Sequence, residues 1–283
     1  MARLIIHVGP HKSGTTSIQH ALHLARDDLA ADGILYPPSV VQAHFPEQHS
    51  DLAFLVKANE IDQLRQYFQG VFALADERQC PVILLSGEEF SSLVNNDAFV
   101  RLVKEMRQHA DVDLIFVKRE IREVIRSNIM QQVLGNVFAL ARYAGNLDEM
   151  ITNIYRWIVV QRGFFAEMGA RFLEFEELVT HALPAYFVEK VTARKLTYLA
   201  EYKSNSTEKK LNADPLLLLS TPLRLLIAIK EDQPVDSPAC YREAASILAN
   251  SSVEREPVNA LLREFHEHLM SRVDAVLEDL QET

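Results

Sequence analysis

The feature that most constrains the fold lies near the amino terminus, where an apolar run stops at a glycine and a helical pattern begins. Residues 4–8 are apolar except for His7 and end at Gly9, which is typical of a short buried strand. From Thr15 onward the apolar spacing becomes that of one helical face, occupied by Ile18, Ala21, Leu22, Ala25 and Leu29. Because the period changes within a few residues, this stretch predicts a strand, a tight loop and a helix.

The same alternation continues along most of the chain. Strand-like runs are predicted at 34–36, 81–86, 113–118 and 171–175, and helices at about 51–79, 99–106, 121–134 and 147–168. Strands alternating with helices predict βαβ units and a parallel sheet with helices on both faces. Beyond residue 176 the pattern is mainly helical, ending in a helix over about 255–281. We therefore expect one α/β domain over 1–283, with a core sheet over about 1–180 and a helical part over about 181–283.

Composition narrows the class of partner. The formal net charge of −10 argues against general nucleic-acid binding, which needs a broad basic surface. No apolar stretch approaches the roughly 20 residues that span a bilayer, and the first strand begins too early for a signal peptide. Cys80 and Cys240 have neither metal-ligand spacing nor a disulfide pattern. We expect a cytoplasmic protein without a transmembrane segment or a bound metal, and the oligomeric state stays open.

The loop after the first strand is suited to an anion. Such a loop points backbone N–H groups inward, and the helix that follows adds a partial positive charge. Gly9 and Gly14 have the spacing of the two glycines in a Walker loop, but Thr15 stands where the Walker lysine would be. The cation is Lys12, inside the loop. A nucleoside-triphosphate enzyme also needs an aspartate for Mg²⁺ at a strand end, where this chain has Ser86 and Arg119.

Residues 10–19 read Pro-His-Lys-Ser-Gly-Thr-Thr-Ser-Ile-Gln. This stretch resembles the 5′-phosphosulfate loop of sulfotransferases that use 3′-phosphoadenosine 5′-phosphosulfate (PAPS), in the form seen in bacterial enzymes acting on surface carbohydrate. Compared with the common form, Pro10 stands one place earlier and His11 precedes the lysine. The resemblance implies transfer of a sulfuryl group from PAPS to a hydroxyl or amine of a carbohydrate-like acceptor. It implies that the donor is bound by His11, Lys12, Ser13, Gly14, Thr15, Thr16 and Ser17.

Two further segments match donor contacts of the same family. Arg119 ends a predicted strand and Ser127 follows eight residues later, like the Arg and Ser with which sulfotransferases bind the 3′-phosphate. Arginine offers a planar fork to phosphate oxygens. The chain has Glu120-Ile121 where the family commonly has Asn-Pro. As an alternative to phosphate binding, Arg119 could belong to a solvated helix face on which arginines are balanced by glutamates. Asn205 and Ser206 resemble a late Asn-x-Ser loop that closes over the nucleotide.

The resemblance also implies catalytic roles. Lys12 would stabilise the charge that develops on the leaving oxygen, and a general base would take the proton of the acceptor. His49 resembles a histidine that follows the second strand in the bacterial enzymes, and Ser86-Gly87-Glu88-Glu89-Phe90 resembles their Ser-Ser-Glu-Glu-Phe turn. We expect His49 to be the base, with Glu88 as the close alternative and His44 as a weaker one. Two other functions stay open, a P-loop phosphotransferase of the kinase type and a non-catalytic nucleotide-binding protein.

Overall fold

The computed structural model describes residues 2–40, 46–135, 147–202, 267 and 269–280. Within them, five strands form one sheet: β1 (Arg3–His7), β2 (Ile34–Leu35), β3 (Val82–Ser86), β4 (Asp111–Lys118) and β5 (Arg171–Glu174). All neighbouring strands are parallel, in the order β2-β3-β1-β4-β5. The prediction of an α/β fold with a central parallel sheet is confirmed.

Helices occupy most of the remaining described chain. They are α1 (Thr15–Leu24), α2 (Arg26–Ala31), α3 (Ser50–Lys57), α4 (Ile61–Glu77), α5 (Asp97–Met106), α6 (Ile121–Gly135), α7 (Leu147–Glu167), α8 (Phe175–Val179) and α9 (Leu183–Thr192). Short 3₁₀ helices lie at Glu88–Ser92 and Thr197–Glu201. Residues 267 and 269–280 are helical, and the earlier part of the predicted carboxyl-terminal helix lies outside the described residues. None of the described helices is long and apolar enough to cross a bilayer.

Two predicted helices are each divided in two. The pattern from Thr15 to Leu29 is interrupted at Ala25, and the stretch predicted at 51–79 is interrupted between Lys57 and Ile61. At the second break Asn59 has a φ of 59°, in the left-handed region that ends helices. The apolar period continues through both breaks because the paired helices cover the same face of the sheet.

Apolar side chains pack on both faces of the sheet. In β1, Leu4 and Ile6 belong to a cluster with α3, α4 and α5, whereas Ile5 packs with α1, α2 and α9 on the other face. This division follows from the strand geometry, since successive side chains point to opposite faces. A parallel strand buried on both sides therefore reads as a continuous apolar run, as residues 4–6 do.

The chain forms two compact units. The first contains Met1–Glu120 with Val159–Asn205, and the second contains Ile121–Ile158 with Ser206–Thr283. The whole sheet lies in the first unit. In the second, α6, the start of α7 and residues 269–280 share a small apolar core that includes Ile125, Ile151 and Val273. The single sulfotransferase-like domain over 1–283 stays a prediction.

The sheet order places the predicted loop at a switch point. β1 lies between β3 and β4, and the chain passes from β3 on one side of β1 to β4 on the other. In open parallel sheets, ligands bind beyond the carboxyl ends of the strands where the strand order reverses in this way. The residues that follow β1, β3 and β4 are therefore the candidates for a ligand site.

Candidate functional site

The loop between β1 and α1 is held in one shape by its own side chains and backbone. Lys12 and Gly14 have φ angles of 71° and 77°, in the left-handed region. The buried Ser13 donates a hydrogen bond from Oγ to the carbonyl oxygen of Pro10 at 2.7 Å. Within the described chain no side chain caps the start of α1, and its first turn carries no acidic residue. Its amino-terminal N–H groups and positive end are thus suited to an anion.

The two loop glycines are required by close packing. A Cβ on Gly9 would lie 2.5 Å from Nε2 of His7, which is fully buried at the end of β1. A Cβ on Gly14 would lie 2.8 Å from Leu183 and 2.9 Å from Phe175. The loop is therefore pressed against the strand and helices beneath it, and only glycine fits at both positions.

Arg119, directly after β4, reaches this loop. Its Nη1 donates to the carbonyl oxygen of Lys12 at 2.9 Å, and its guanidinium carbon lies 4.9 Å from the ring centroid of Phe175. Arg162 in turn donates to the carbonyl oxygen of Arg119. The sequence interpretation had missed Phe175 and Arg162, because nothing in their local pattern links them to a loop so distant along the chain.

The alternative of a solvated arginine face fits the neighbours of Arg119. Arg122 pairs with Asp274 at 2.6 Å, and Arg126 pairs with Glu123, one helical turn away, at 2.6 Å. Arg119 is distinguished from them by its contact with the loop backbone.

A chain of polar contacts runs along the edge of the loop. Thr15 Oγ1 donates to Glu88 Oε2 at 3.0 Å, and His11 Nδ1 lies 3.2 Å from the same oxygen. His11 Nε2 lies 3.4 Å from Glu89 Oε1, and Lys57 Nζ donates to Glu89 Oε2 at 3.1 Å. We call these five residues (Thr15, Glu88, His11, Glu89 and Lys57) the rim cluster.

The rim cluster shifts the protonation of its members in opposite directions. Burial raises the pKa of Glu88, but hydrogen bonds from His11 and Thr15 and the charge of Lys12 together bring that pKa below its ordinary value. The hydrogen bond to Glu88, helped by Glu89, raises the pKa of His11 above its ordinary value against the effect of burial. Glu88 is thus a carboxylate at neutral pH, and His11 holds a proton more readily than a free histidine.

His49 lies in a different environment. It is only 1% exposed, its Nε2 donates to the carbonyl oxygen of Pro37 at 2.9 Å, and its Nδ1 accepts from the Ser86 N–H at 3.2 Å. The ring meets Tyr36 edge-on, and burial lowers the pKa of His49 to about 4. With both ring nitrogens bonded to backbone, His49 ties the segment after β2 to the end of β3. This geometry favours Glu88 and His11 over His49 as proton acceptors.

Thr16 and Ser17 adjoin the loop in the first turn of α1, where Thr16 is exposed, Ser17 is half-buried, and the Ser17 N–H donates to the Gly14 carbonyl at 3.1 Å. Ser127 is half-buried on α6, which belongs to the second unit. His44, Asn205 and Ser206 lie outside the described residues. Their predicted roles stay predictions.

Comparison of the chain with protein-family models and with curated proteins found no match. The residues of the site are therefore the basis for inferring a function. They form a loop suited to an anion, a lysine within it, an arginine that donates to its backbone, and a titratable cluster along its edge.

Proposed function

We propose that this protein is a PAPS-dependent sulfotransferase that transfers a sulfuryl group to a hydroxyl or amine of a carbohydrate-like acceptor. The observation that carries the proposal is the hydrogen bond from Arg119 to the Lys12 carbonyl. It joins the residue assigned to the 3′-phosphate with the residue assigned to the 5′-phosphosulfate at one edge of the sheet. A donor with an anionic group at both ends of its ribose would be matched by an arginine that contacts the loop and a lysine within it.

The described residues fit this donor in a simple way. The N–H groups of residues 11–16 and the positive end of α1 would hold the 5′-phosphosulfate, with Lys12 beside its bridging oxygen. The fork of Arg119 would hold the 3′-phosphate. Ser127, Asn205 and Ser206 are assigned to the nucleotide by resemblance alone.

The reaction requires stabilisation of one charge and removal of one proton. The acceptor oxygen bonds to sulfur as the bond from sulfur to the 5′-phosphate oxygen breaks. Lys12 meets the negative charge that grows on that oxygen, a contribution of about 10²–10³ in rate for one well-placed donor. A base beside the loop takes the acceptor proton, for another factor of roughly 10²–10⁴. Glu88 and His11 are the candidates in the rim cluster, because the charge of Lys12 acts on Glu88 and His11 directly precedes Lys12 in the chain.

One observation favours the phosphotransferase alternative. P-loop enzymes of that class hold Mg²⁺ with a loop hydroxyl and an acidic side chain at a neighbouring strand end. The bond from Thr15 to Glu88 at 3.0 Å joins groups of these two kinds. Against this alternative, the lysine precedes Gly14 instead of following it. A direct comparison of ligands, with and without Mg²⁺, separates the two functions.

The test measures thermal stabilisation by PAPS, its desulfated product, ATP, and ATP with Mg²⁺. A ligand at 100 times its dissociation constant stabilises the folded state by about 2.7 kcal/mol. We expect PAPS and its product to raise the melting temperature, with no dependence on EDTA. Lys12→Ala should abolish sulfuryl transfer and remain folded, whereas Lys104→Ala, at an exposed lysine of α5, should behave as wild type. Stabilisation by ATP with Mg²⁺, with none by PAPS or its product, would instead favour the phosphotransferase.

A further inference from the structure

The rim cluster also bears on the identity of the general base. Resting on the proposed function, we propose that His11 is the catalytic residue that takes the acceptor proton, with Glu88 as the partner that orients it. This assignment differs from the sequence prediction, which placed the base at His49 or Glu88 and gave His11 only a role in donor binding.

Glu88 is fixed, and it fixes one nitrogen of His11. The same oxygen, Oε2, accepts from Thr15 at 3.0 Å and lies 3.2 Å from His11 Nδ1. Thr15 is buried and is the first residue of α1, so Oε2 of Glu88 is bonded to a side chain that the helix holds in place. A neutral imidazole carries a single N–H, and the carboxylate of Glu88 holds it on Nδ1. A carboxylate orients the histidine of a catalytic triad in the same manner.

Glu89 has another donor and does not depend on His11. Its Oε2 accepts from Lys57 at 3.1 Å, whereas the hydroxyl proton of Ser92 goes to the Glu89 backbone carbonyl at 2.6 Å. When His11 loses a proton, Nε2 presents a lone pair, and a carboxylate cannot donate to it. Glu89 then keeps its bond from Lys57, and Nε2 of His11 becomes available to accept a proton.

His11 is also placed where an acceptor can reach it. It directly precedes Lys12 in the loop, and its side chain is 50% exposed. Glu88 is only 25% exposed and already receives hydrogen bonds at the oxygen facing the loop, which weakens it as a base. The titratable groups facing His11 are Glu88 and Glu89, with Lys12 and Lys57 next to those carboxylates.

The proton transfer balances with the bond changes. As the acceptor oxygen bonds to sulfur and the sulfur–oxygen bond to the 5′-phosphate breaks, the hydroxyl proton passes to Nε2 of His11. The resulting imidazolium lies between the carboxylates of Glu88 and Glu89, which stabilise its charge. Because half of the His11 side chain is exposed, the imidazolium then releases its proton to water and becomes the neutral base again.

The experiment combines kinetics with a direct titration of His11. In wild type, kcat/KM should rise with pH through an acid limb whose midpoint equals the pKa of His11 measured by NMR. Glu89→Gln removes a negative charge facing Nε2, so both midpoints should move together to lower pH. Glu105→Gln, which removes a carboxylate on α5 that pairs with Arg65, is the matched control and should move neither.

His11→Gln should lower kcat by roughly 10²–10⁴ and leave the affinity for the desulfated product within about threefold, because a glutamine still donates hydrogen bonds but cannot act as a base. Near-normal turnover in His11→Gln, or an acid limb that stays in place while the NMR midpoint moves, overturns this assignment. A wild-type protein that binds neither PAPS nor its product overturns the proposed function itself, so the two failures are distinguishable.

Discussion

Replacing His49 with glutamine tests whether this histidine is a structural residue. Burial lowers its pKa from the ordinary 6.5 to about 4, so between these values the unfolded chain binds a proton that the folded chain does not. Stability is therefore fully present above pH 6.5 and is lost as pH falls towards 4. One proton of difference gives a slope of about 1.36 kcal/mol per pH unit. Between pH 7.5 and pH 5, His49 alone should cost about 2 kcal/mol of unfolding free energy.

Glutamine cannot titrate, so this loss should be missing from His49→Gln. At pH 7.5 the variant should be less stable than wild type by about 1–3 kcal/mol, because the bonds to Pro37 and Ser86 are weakened or lost. On acidification the two proteins should converge. Urea unfolding followed by circular dichroism from pH 7.5 to pH 5 measures both effects, with His109→Gln, at an exposed histidine of the same unit, as the control. Parallel curves for wild type and His49→Gln would refute the structural role.

Two further predictions concern the loop. Gly14→Ala should lower the unfolding free energy by about 1–2 kcal/mol because of its φ of 77°, and by about 1–3 kcal/mol more because the new Cβ would contact Leu183 and Phe175. Gly163→Ala is the control, since its Cβ meets nothing within 4 Å, and it should be stabilising. Urea titration measures both. Arg119→Ala should weaken PAPS binding roughly ten- to a hundredfold, as measured by calorimetry. It should also lose most of the preference for PAPS over adenosine 5′-phosphosulfate, whereas Lys12→Ala should keep that preference. An unchanged preference in Arg119→Ala would assign the 3′-phosphate to other residues.

The sheet was predictable from the sequence because of the way parallel strands are buried. Strands covered on both faces read as short apolar runs, and the five predicted runs coincide with β1 to β5 to within about two residues at each end. The helix breaks were not predictable in the same way. Apolar spacing reports which face a residue covers, and that face stays the same across Ala25 and across Asn59.

The composition of the site was predictable, but its pairings were not. The loop sequence points to an anion through its glycines and Lys12, which all lie within residues 9–14. The bonds from Thr15 to Glu88 and from Arg119 to Lys12 join residues 73 and 107 positions apart, and no local pattern specifies them. The burial of His49 beneath Tyr36 and between backbone groups likewise depends on the packed sheet.

The bonds from Ser13 to Pro10 and from Arg119 to Lys12 have a consequence for selectivity among anions. They order the loop when the first unit folds, so the binding of an anion does not have to supply the free energy of ordering it. Such a loop would select an anion by fit. A tetrahedral group that matches the preformed loop would associate at a rate set by diffusion and charge, whereas a planar carboxylate, or an anion too bulky for the loop, would gain nothing from adaptation of the backbone.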